Sequence, residues 1–407
     1  MAACQAVAER CSRPSMDSES HNPRSLSMPM RCKYLLPALL GIAAVGHVAQ
    51  RAPAQVAAQV PTPSPTAEQV APSATTGQAT RGVSAAEGIG SASEPAANAA
   101  PLLQYVAPKT MDMQIGVRVT APDGNMLGTL ATTVFPTAWP EQSVEIVESN
   151  VPSSFQSTFR DLPGGNRQLL LFAQMIPANS VTEATVTVRI TKSHIVGPQD
   201  TLHLKAPKRL SRELSAFMSN SPYIEANSSE IKKIVRDIEA SDPLTDWDKV
   251  EQLYDWVREN IVYQRGELKT VRDALRDRAG DCEEMTSTFV ALCRAARIPA
   301  RVVWIPNHCY PEFYLEDEQG QGHWFPCQVA GTRNFGSMPE YLPILQKGDR
   351  FKVPEKNEVQ RYLADYLSAK KVLGRNDPQV EFIRQLLGDA ANLRAPDLES
   401  TAVEPQP

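Results

Sequence analysis

From about residue 101 to residue 205, apolar residues alternate with polar ones. Met113, Ile115, Val117 and Val119 follow this period of two, and Gly- and Pro-containing turns separate such stretches. A period of two predicts half-buried strands, and frequent turns between short strands are typical of small all-β modules. We therefore expect a small β-sandwich-like domain over 101–205. Its expected role is packing or positioning, because it contains no chemically suggestive set of residues, and the alternative is a role in substrate binding.

The spacing of apolar residues becomes helical after about residue 206. A first amphipathic stretch is followed by a second one that begins after Asp246, and a further helix is predicted to start at Cys282. The apolar residues of the first stretch are Ile231, Ile234, Val235 and Ile238. Those that follow Cys282 on one helical face are Met285, Phe289, Leu292, Cys293 and Ala296.

Three strands are predicted after this helix. They cover about 300–305, 308–315 and 323–328. The last two are expected to pair antiparallel around the polar, glycine-containing loop 316–322, with Tyr314 opposite Gly322. Helices packed on an antiparallel sheet give an α+β fold for about 206–345.

The same register places His308 opposite Gln328, as a base and its orienting residue require. It also places Cys309 opposite Cys327 on the other face of the sheet. Directly opposed cysteines in an exported protein can form a disulfide or stay reduced, and both alternatives stay open at this point.

The segment from about 346 to 395 is predicted to return to helix. Two groups of apolar residues have helical spacing. They are Tyr362, Leu363, Tyr366 and Leu367 in the first group, and Phe382, Ile383, Leu386 and Leu387 in the second. We expect a C-terminal helical segment over 346–395 with a core or docking role, followed by a tail over 396–407.

The N-terminal residues 1–54 have the features of a leader. A charged stretch, Arg31–Lys33, precedes the apolar run Tyr34–Val45, which is too short to span a bilayer comfortably. Small residues follow near Ala49–Ala54, where cleavage is expected. The pattern predicts an exported, periplasmic or extracellular protein, and the alternative is a short uncleaved anchor or a misassigned leader.

Composition narrows the class of partner. The net charge of the 407-residue chain is −5 and basic residues do not form long runs, so a nucleic-acid partner is not expected. Residues 55–100 are rich in Ala and Pro and poor in large apolar residues, which predicts a disordered linker. Four of the seven cysteines lie beyond the leader without CxxC spacing, so neither a metal nor another cofactor is expected.

A cysteine opens the predicted helix directly after a glycine, in Gly280-Asp281-Cys282. In the first turn of a helix, free N–H groups and the helix dipole favour a thiolate and can stabilise an oxyanion. Glu283 and Glu284 oppose the thiolate by their charge, so a cationic His308 has to outweigh them.

His308 and Gln328 complete a candidate set with Cys282, as base, orienting residue and nucleophile. Taken singly, a buried inert thiol and a structural histidine are the more common explanations. Their order on a helix start and two adjacent strands is more specific than either residue alone. His323 is a weaker candidate base, because it begins its strand far from Gln328. Gln264 is a candidate second oxyanion donor, although a solvated loop residue is the simpler interpretation.

Four separate segments between about 205 and 345 combine into one pattern. They are Gly280-Asp281-Cys282, Ile298-Pro299-Ala300-Arg301, His308-Cys309-Tyr310-Pro311-Glu312-Phe313-Tyr314 and Trp324-Phe325-Pro326-Cys327-Gln328. In this combination the chain resembles the transglutaminase-like superfamily of papain-like enzymes with a Cys-His-Asp triad. The resemblance implies a papain-like core over 206–345 behind a β-domain, as in exported bacterial members.

Two residues depart from the family pattern. Gln328 stands where the family has Asp, and a neutral amide can orient the imidazole but supplies no negative charge. Arg297 stands where the family usually has Gly, and a left-handed helix end there would cost roughly 1 kcal/mol.

The resemblance implies thiol acyl transfer on a protein or peptide substrate. Cys282 attacks an amide carbonyl, His308 moves the proton, and a thioester forms. Resolution by water gives a peptidase or amidase, which is favoured because many bacterial members look like hydrolases, and resolution by an amine gives a transglutaminase. The alternative is a non-catalytic binding or scaffold module that retains the fold, and Gln328 is one feature that favours it. Membrane contact is expected only through an uncleaved N-terminal anchor.

Overall fold

The computed structural model describes residues 101–393 and the backbone of Ser25–Leu26. Apart from these two residues, the predicted leader (1–54) and linker (55–100) lie outside the described residues, as does the predicted tail (396–407). Across the described part of the chain, no helix is both long enough and apolar enough to cross a bilayer.

The described residues form antiparallel sheets, one two-stranded parallel pair (β8 and β9) and a few short helices, as the α+β prediction requires. The strands are β1 (Ser25–Leu26), β2 (Gln104–Ala121), β3 (Met126–Phe135), β4 (Gln142–Asn150), β5 (Phe155–Leu162), β6 (Asn166–Ile176), β7 (Ser180–Val196), β8 (Val262–Tyr263), β9 (Ala279–Gly280), β10 (Ala300–Ile305), β11 (His308–Glu316), β12 (Gly322–Gln328), β13 (Asn334–Phe335), β14 (Gln346–Lys347), β15 (Tyr366–Val372) and β16 (Gln379–Leu386). The α-helices are α1 (Arg212–Ala216), α2 (Ser229–Glu239), α3 (Asp246–Asn260), α4 (Val271–Asp277) and α5 (Cys282–Ala295).

Two antiparallel sheets share one hydrophobic core. Their strand orders are β1-β15-β3-β6-β5 and β16-β2-β7-β4. Met113, Ile115, Val117 and Val119 of β2 are fully buried in this core, so the alternation confirms the predicted strand. The sheets are not built from residues 101–205 alone, because β15 and β16 contribute to them. The separate β-sandwich-like domain therefore stays a prediction.

The prediction of α-helix over 346–395 is wrong, because its described part forms strands β14, β15 and β16 and one short 3-10 helix, Gly388–Asn392. β15 pairs with β3, and β16 pairs with β2 from Met113 to Thr120. Apolar residues four apart, such as Leu363 and Leu367, fit one face of a helix and also one face of a strand. Leu367 and Ala369, two apart, are both buried against the sheet, so pairing with existing strands decided the outcome.

A second core lies under the sheet β13-β12-β11-β10-β14. The antiparallel sheet covers one side of α5, and helices α2, α3 and α4 pack on its other sides. Phe289 of α5 and Phe313 of β11 are fully buried where the two elements meet. This arrangement places the N-terminus of α5 next to the first residue of β11.

The expected register between β11 and β12 is wrong by two residues. Tyr314 lies opposite Trp324, and Gly322 lies opposite Glu316. The cause is a tighter loop, because the Asp317 carboxylate accepts hydrogen bonds from the N–H groups of Gln319 and Gln321 and closes the turn. A shift of two residues leaves every side chain on its expected face of the sheet.

The chain directly after α5 contains the left-handed residue that the family resemblance implied. Arg297 has φ of 63°, and the N–H of Ile298 donates to the carbonyl of Cys293 across it. The side chain of Arg297 is exposed, so its charge has no packing role that a substitution would disturb.

Arg297→Gly is expected to raise the free energy of unfolding by roughly 1 kcal/mol, because glycine adopts this backbone conformation without the Cβ penalty. Urea unfolding of both proteins measures the difference. The matched control is Arg236→Gly, at an exposed position inside α2. Its free energy of unfolding is expected to fall by about 1 kcal/mol. An equal fall in the free energy of unfolding of the two variants would contradict the conclusion that the backbone of Arg297 is strained.

Candidate functional site

Cys282 is the first residue of α5, and a capping box fixes this helix start. The Asp281 carboxylate accepts a hydrogen bond from the N–H of Glu283 at 2.7 Å. In return, the Glu284 carboxylate accepts one from the N–H of Asp281 at 2.8 Å. Its other oxygen accepts from the N–H of Lys269 at 2.9 Å. The carboxylate of Glu284 is thus committed to the backbone around Cys282.

Gly280 is needed for space and not for an unusual backbone angle. A Cβ atom at this position would lie 2.4 Å from Cβ of Glu284, which would displace the capping carboxylate. Gly280 also pairs with Tyr263, and its carbonyl accepts a hydrogen bond from the N–H of Gln264 at 2.8 Å. Gln264 therefore lies next to the nucleophile's turn, with an exposed side chain.

His308 begins β11 immediately after a tight turn. Ile305 pairs with His308 across this turn, and Asn307 between them adopts the left-handed conformation with φ of 59°. The imidazole is buried, and its Nε2 atom lies 3.2 Å from Oε1 and 2.9 Å from Nε2 of the Gln328 amide. With Oε1 as acceptor, Nε2 carries the proton and Nδ1 is left to serve as a base.

Gln328 is the last residue of β12, and helix α3 holds it in place. Its carbonyl accepts hydrogen bonds from the hydroxyl of Tyr254 at 2.7 Å and from the guanidinium of Arg258 at 3.3 Å. The hydroxyl of Tyr254 in turn accepts from the N–H of Asn334 at 3.1 Å. Because His308 and Gln328 share one face of the sheet, they meet diagonally despite the shifted register.

Cys282 and His308 each shift the pKa of the other in the direction that favours its charged form: His308 lowers the pKa of Cys282, and Cys282 raises the pKa of His308. A hydrogen bond from the Cys309 thiol is the largest cause that holds the pKa of Cys282 well below its usual range. Hydrogen bonding and charge from His308 add to it and together outweigh burial. Burial lowers the pKa of His308, but Cys282 and the Gln328 amide raise it further, so the net shift is upward. Both directions favour a thiolate beside an imidazolium.

Nδ1 of His308 is the ring nitrogen left for the thiol. It is buried and makes no contact that meets ordinary hydrogen-bond geometry within the described residues. Catalytic hydrogen bonds are often long before substrate binds and shorten only in the reacting complex. The structure therefore brings Cys282, His308 and Gln328 together at one site, and their roles as nucleophile, base and orienting residue stay a prediction.

Cys309 lies beside the nucleophile and not opposite Cys327. Its thiol is 3.6 Å from the carbonyl oxygen of Cys282, and burial raises its own pKa well above the usual range. Cys327 pairs across the sheet with Phe335, and both thiols are free, so the disulfide considered above does not form. Cys293 is a buried thiol whose pKa burial raises, consistent with an inert core residue.

Two charged residues near the site have no signature in the sequence. The Glu340 carboxylate, in the segment between β13 and β14, accepts a hydrogen bond from the N–H of Leu342 at 2.7 Å, and its charge helps to raise the pKa of His308. Arg361 follows β14 and pairs with Glu283 at 3.3 Å. Both lie on irregular segments, so neither helical nor strand periodicity could have indicated them.

The weaker candidate base His323 lies elsewhere. Its Nε2 atom is 2.9 Å from the carboxylate of Asp317 in the β11–β12 loop, so it supports the turn instead of the site. In the described part of the chain, no group of three or more His, Cys, Asp or Glu side chains is arranged to hold a metal ion.

Iodoacetamide labelling of Cys282 is expected to remain fast at about pH 6, where an ordinary thiol is mostly protonated and slow. His308→Ala is expected to return the labelling profile towards that of a free thiol, because it removes the adjacent positive charge. Peptide mass spectrometry measures the rate at each pH, and the buried Cys293 serves as the unlabelled internal reference. Identical profiles for the two proteins would contradict the ion pair.

Gln328→Glu is expected to raise the pKa of His308 by about one unit or more, because a carboxylate replaces the amide next to Nε2. His308 then keeps its proton to higher pH, which an NMR titration of the imidazole measures. Gln328→Met is the control, since it keeps the side-chain length but removes the hydrogen bond, and a lower pKa is expected. The same pKa in all three proteins would show that Gln328 does not act on the imidazole.

Comparison with known proteins identifies one segment of the chain. The model of the transglutaminase-like superfamily matches residues 232–329, which include all three candidate residues. A comparison with curated proteins gives no match.

Two solved structures are similar to parts of the chain. A candidate cysteine protease from Cytophaga hutchinsonii is 17% identical, with a TM-score of 0.45, over 70% of this chain and 93% of that one. A candidate protease from Parabacteroides distasonis is 12% identical, with a TM-score of 0.24, over 54% of this chain and 43% of that one. Both TM-scores are below 0.5, so neither similarity supports a statement about activity. The match to the transglutaminase-like superfamily confirms, over residues 232–329, the resemblance found in the sequence.

Proposed function

We propose that this protein is a thiol-dependent hydrolase of protein or peptide amide bonds, with Cys282 as nucleophile. One observation carries the proposal: the Cys282 thiol lies at a capped helix start beside His308, whose other nitrogen contacts Gln328. This arrangement supplies a nucleophile, a proton carrier and an orienting group side by side.

The first half of the reaction forms a thioester. The Cys282 thiolate attacks the amide carbonyl carbon, and the carbonyl electrons move onto oxygen to give a tetrahedral oxyanion. When this intermediate collapses, the C–N bond breaks and the imidazolium of His308 gives its Nδ1 proton to the departing amine. The amine product leaves with that proton, and His308 is then neutral.

The oxyanion needs donors near the start of α5. The backbone N–H of Cys282 is one, because first-turn N–H groups of a helix are available to anions. The Gln264 side-chain amide is the second donor that we propose, because its backbone is bonded to Gly280 directly before this turn. Each such donor typically contributes roughly 10²–10³-fold to kcat.

The second half releases the acyl group to water. His308 removes a proton from water, the hydroxide attacks the thioester carbonyl, and the C–S bond breaks to regenerate the thiolate and imidazolium. Gln328 keeps the imidazole oriented through both halves. An amine in place of water would give a cross-linked product, as in a transglutaminase. We favour water on the resemblance to bacterial members stated above.

The place of action and the partners are also part of the proposal. We propose that the leader within residues 1–54 directs export, so that protein or peptide substrates are met outside the cytoplasm. Membrane contact would occur only through an uncleaved N-terminal anchor, and nucleic acid is not proposed as a partner. Support for these points comes from the sequence pattern alone.

Cys282→Ala is expected to lower hydrolysis of a fluorescent casein by at least about 10³-fold, because no thioester can form. Fragment release measured over time gives the rate of hydrolysis. Alkylation by a peptide chloromethyl ketone, followed by intact-mass analysis, measures the reactivity of the Cys282 thiol separately. Cys293→Ala is the matched control, since it removes a buried thiol outside the site and should leave the rate unchanged.

The same samples decide between the alternatives. Incorporation of a dansylated amine into casein, faster than fragment release, would replace hydrolysis by transamidation. A Cys282 that reacts with the chloromethyl ketone no faster than a free thiol would end the enzymatic proposal in favour of a non-catalytic scaffold.

A further inference from the structure

The negative charge of the Glu283 carboxylate opposes ionisation of the Cys282 thiol. It directly follows the nucleophile in α5, and its side chain is three-quarters buried, with 27% of its surface exposed. A negative charge within about 4–6 Å disfavours a thiolate, and burial weakens the screening by water. Since the capping box uses Asp281 and Glu284, Glu283 is the acidic neighbour that capping does not engage.

Arg361 lies directly against this carboxylate. Nη1 of Arg361 is 3.3 Å from the carboxylate of Glu283, and Nη2 is 3.1 Å from the hydroxyl of Ser287, one helical turn further along α5. Nη2 is also 3.5 Å from the carbonyl of Glu283. The guanidinium therefore contacts both the side chain and the backbone of the residue after Cys282.

The surroundings of Arg361 hold its charge in this position. Its side chain is almost fully buried, with 3% of its surface exposed, and its Cζ atom lies 5.1 Å from the ring centroid of Trp304 and 5.7 Å from that of Tyr223. Among the described residues, Nε has no hydrogen-bond acceptor, and the 3.3 Å contact of Nη1 with Glu283 is an ion pair without ordinary hydrogen-bond geometry. A buried cation with unused donors is costly unless an anion lies beside it, and Glu283 is placed to be that anion.

We propose that Arg361 is an electrostatic positioning residue of the active site, which holds the Glu283 carboxylate and offsets its charge so that Cys282 can ionise. The proposal rests on the proposed role of Cys282 as nucleophile. Arg361 lies outside the matched segment 232–329, so the site is completed by a part of the chain that the family model does not cover.

The pKa of Glu283 responds to both of its charged neighbours, Arg361 and Cys282. Burial raises the pKa of Glu283, the Arg361 guanidinium lowers it, and the Cys282 thiolate raises it again. Repulsion between Glu283 and the thiolate is thus present, and Arg361 opposes its effect on Glu283. Loss of the guanidinium would leave two buried negative charges side by side.

The test is a double-mutant cycle on the pH dependence of Cys282 labelling by iodoacetamide. Arg361→Gln is expected to slow labelling at about pH 6 by roughly tenfold, which corresponds to a thiol pKa about one unit higher. Arg361→Lys keeps the charge and is expected to stay within about threefold of the wild type. In the double variant with Glu283→Gln, the rate is expected to return to within about threefold, because the repelling carboxylate is gone.

Two further variants make the result decisive. Arg160→Gln removes another partly buried arginine–carboxylate pair, with Glu355 at 2.8 Å in the two-sheet part of the fold, and should leave labelling unchanged. If Arg361→Gln fails to fold, as judged by circular dichroism, Glu283→Gln alone still tests the proposal, because it must lower the thiol pKa.

The outcomes separate this inference from the proposed function. A wild-type Cys282 with the pKa of a free thiol would overturn both. A low pKa in the wild type that Arg361→Gln leaves unchanged would overturn the role of Arg361 alone. A double variant as slow as Arg361→Gln would show that Arg361 acts on the site without Glu283, which also contradicts the proposal.

Discussion

The burial of α5 is the constraint on which the rest of the site depends. Every residue from Glu284 to Arg294 is buried, so the helix is enclosed on all sides and is not a surface helix with one apolar face. Its polar members are satisfied locally: Arg294 donates to the carbonyl of Ala300 and pairs with Asp349. The first turn of α5 therefore cannot move relative to β11 without opening a packed core, and this fixes the thiol beside the imidazole.

The groups that stabilise the charged forms of Cys282 and His308 come from segments far apart in the sequence. The amide at Gln328 orients the imidazole but contributes no charge, whereas Glu340 supplies a negative charge near His308 from the irregular segment after β13. Cys309 contributes a hydrogen bond to Cys282 from the strand that carries the base. Substitution of one triad position thus changes which groups stabilise the charged state, and it does not by itself remove that stabilisation.

The sequence predicted which face of a strand a side chain occupies better than it predicted which strands pair with one another. His308 and Gln328 meet although the register was wrong by two residues, because side chains two apart lie on the same face of a strand. The helical prediction for 346–395 failed because a spacing of four suits a helix and a strand equally, and the free edges of β2 and β3 were not visible from local periodicity. Arg361 could not be found either, since its contact with Glu283 depends on the whole fold.

The pairing of the last strands has a consequence for biosynthesis. β15 and β16 complete sheets whose strands β2 to β7 lie more than 150 residues earlier in the chain, between Gln104 and Val196. A ribosome delivers the chain from its N-terminus, so these sheets keep an open edge after Cys282 and His308 have been made. The order of synthesis therefore delays completion of the fold, and a nascent chain contains Cys282 before these two sheets are complete.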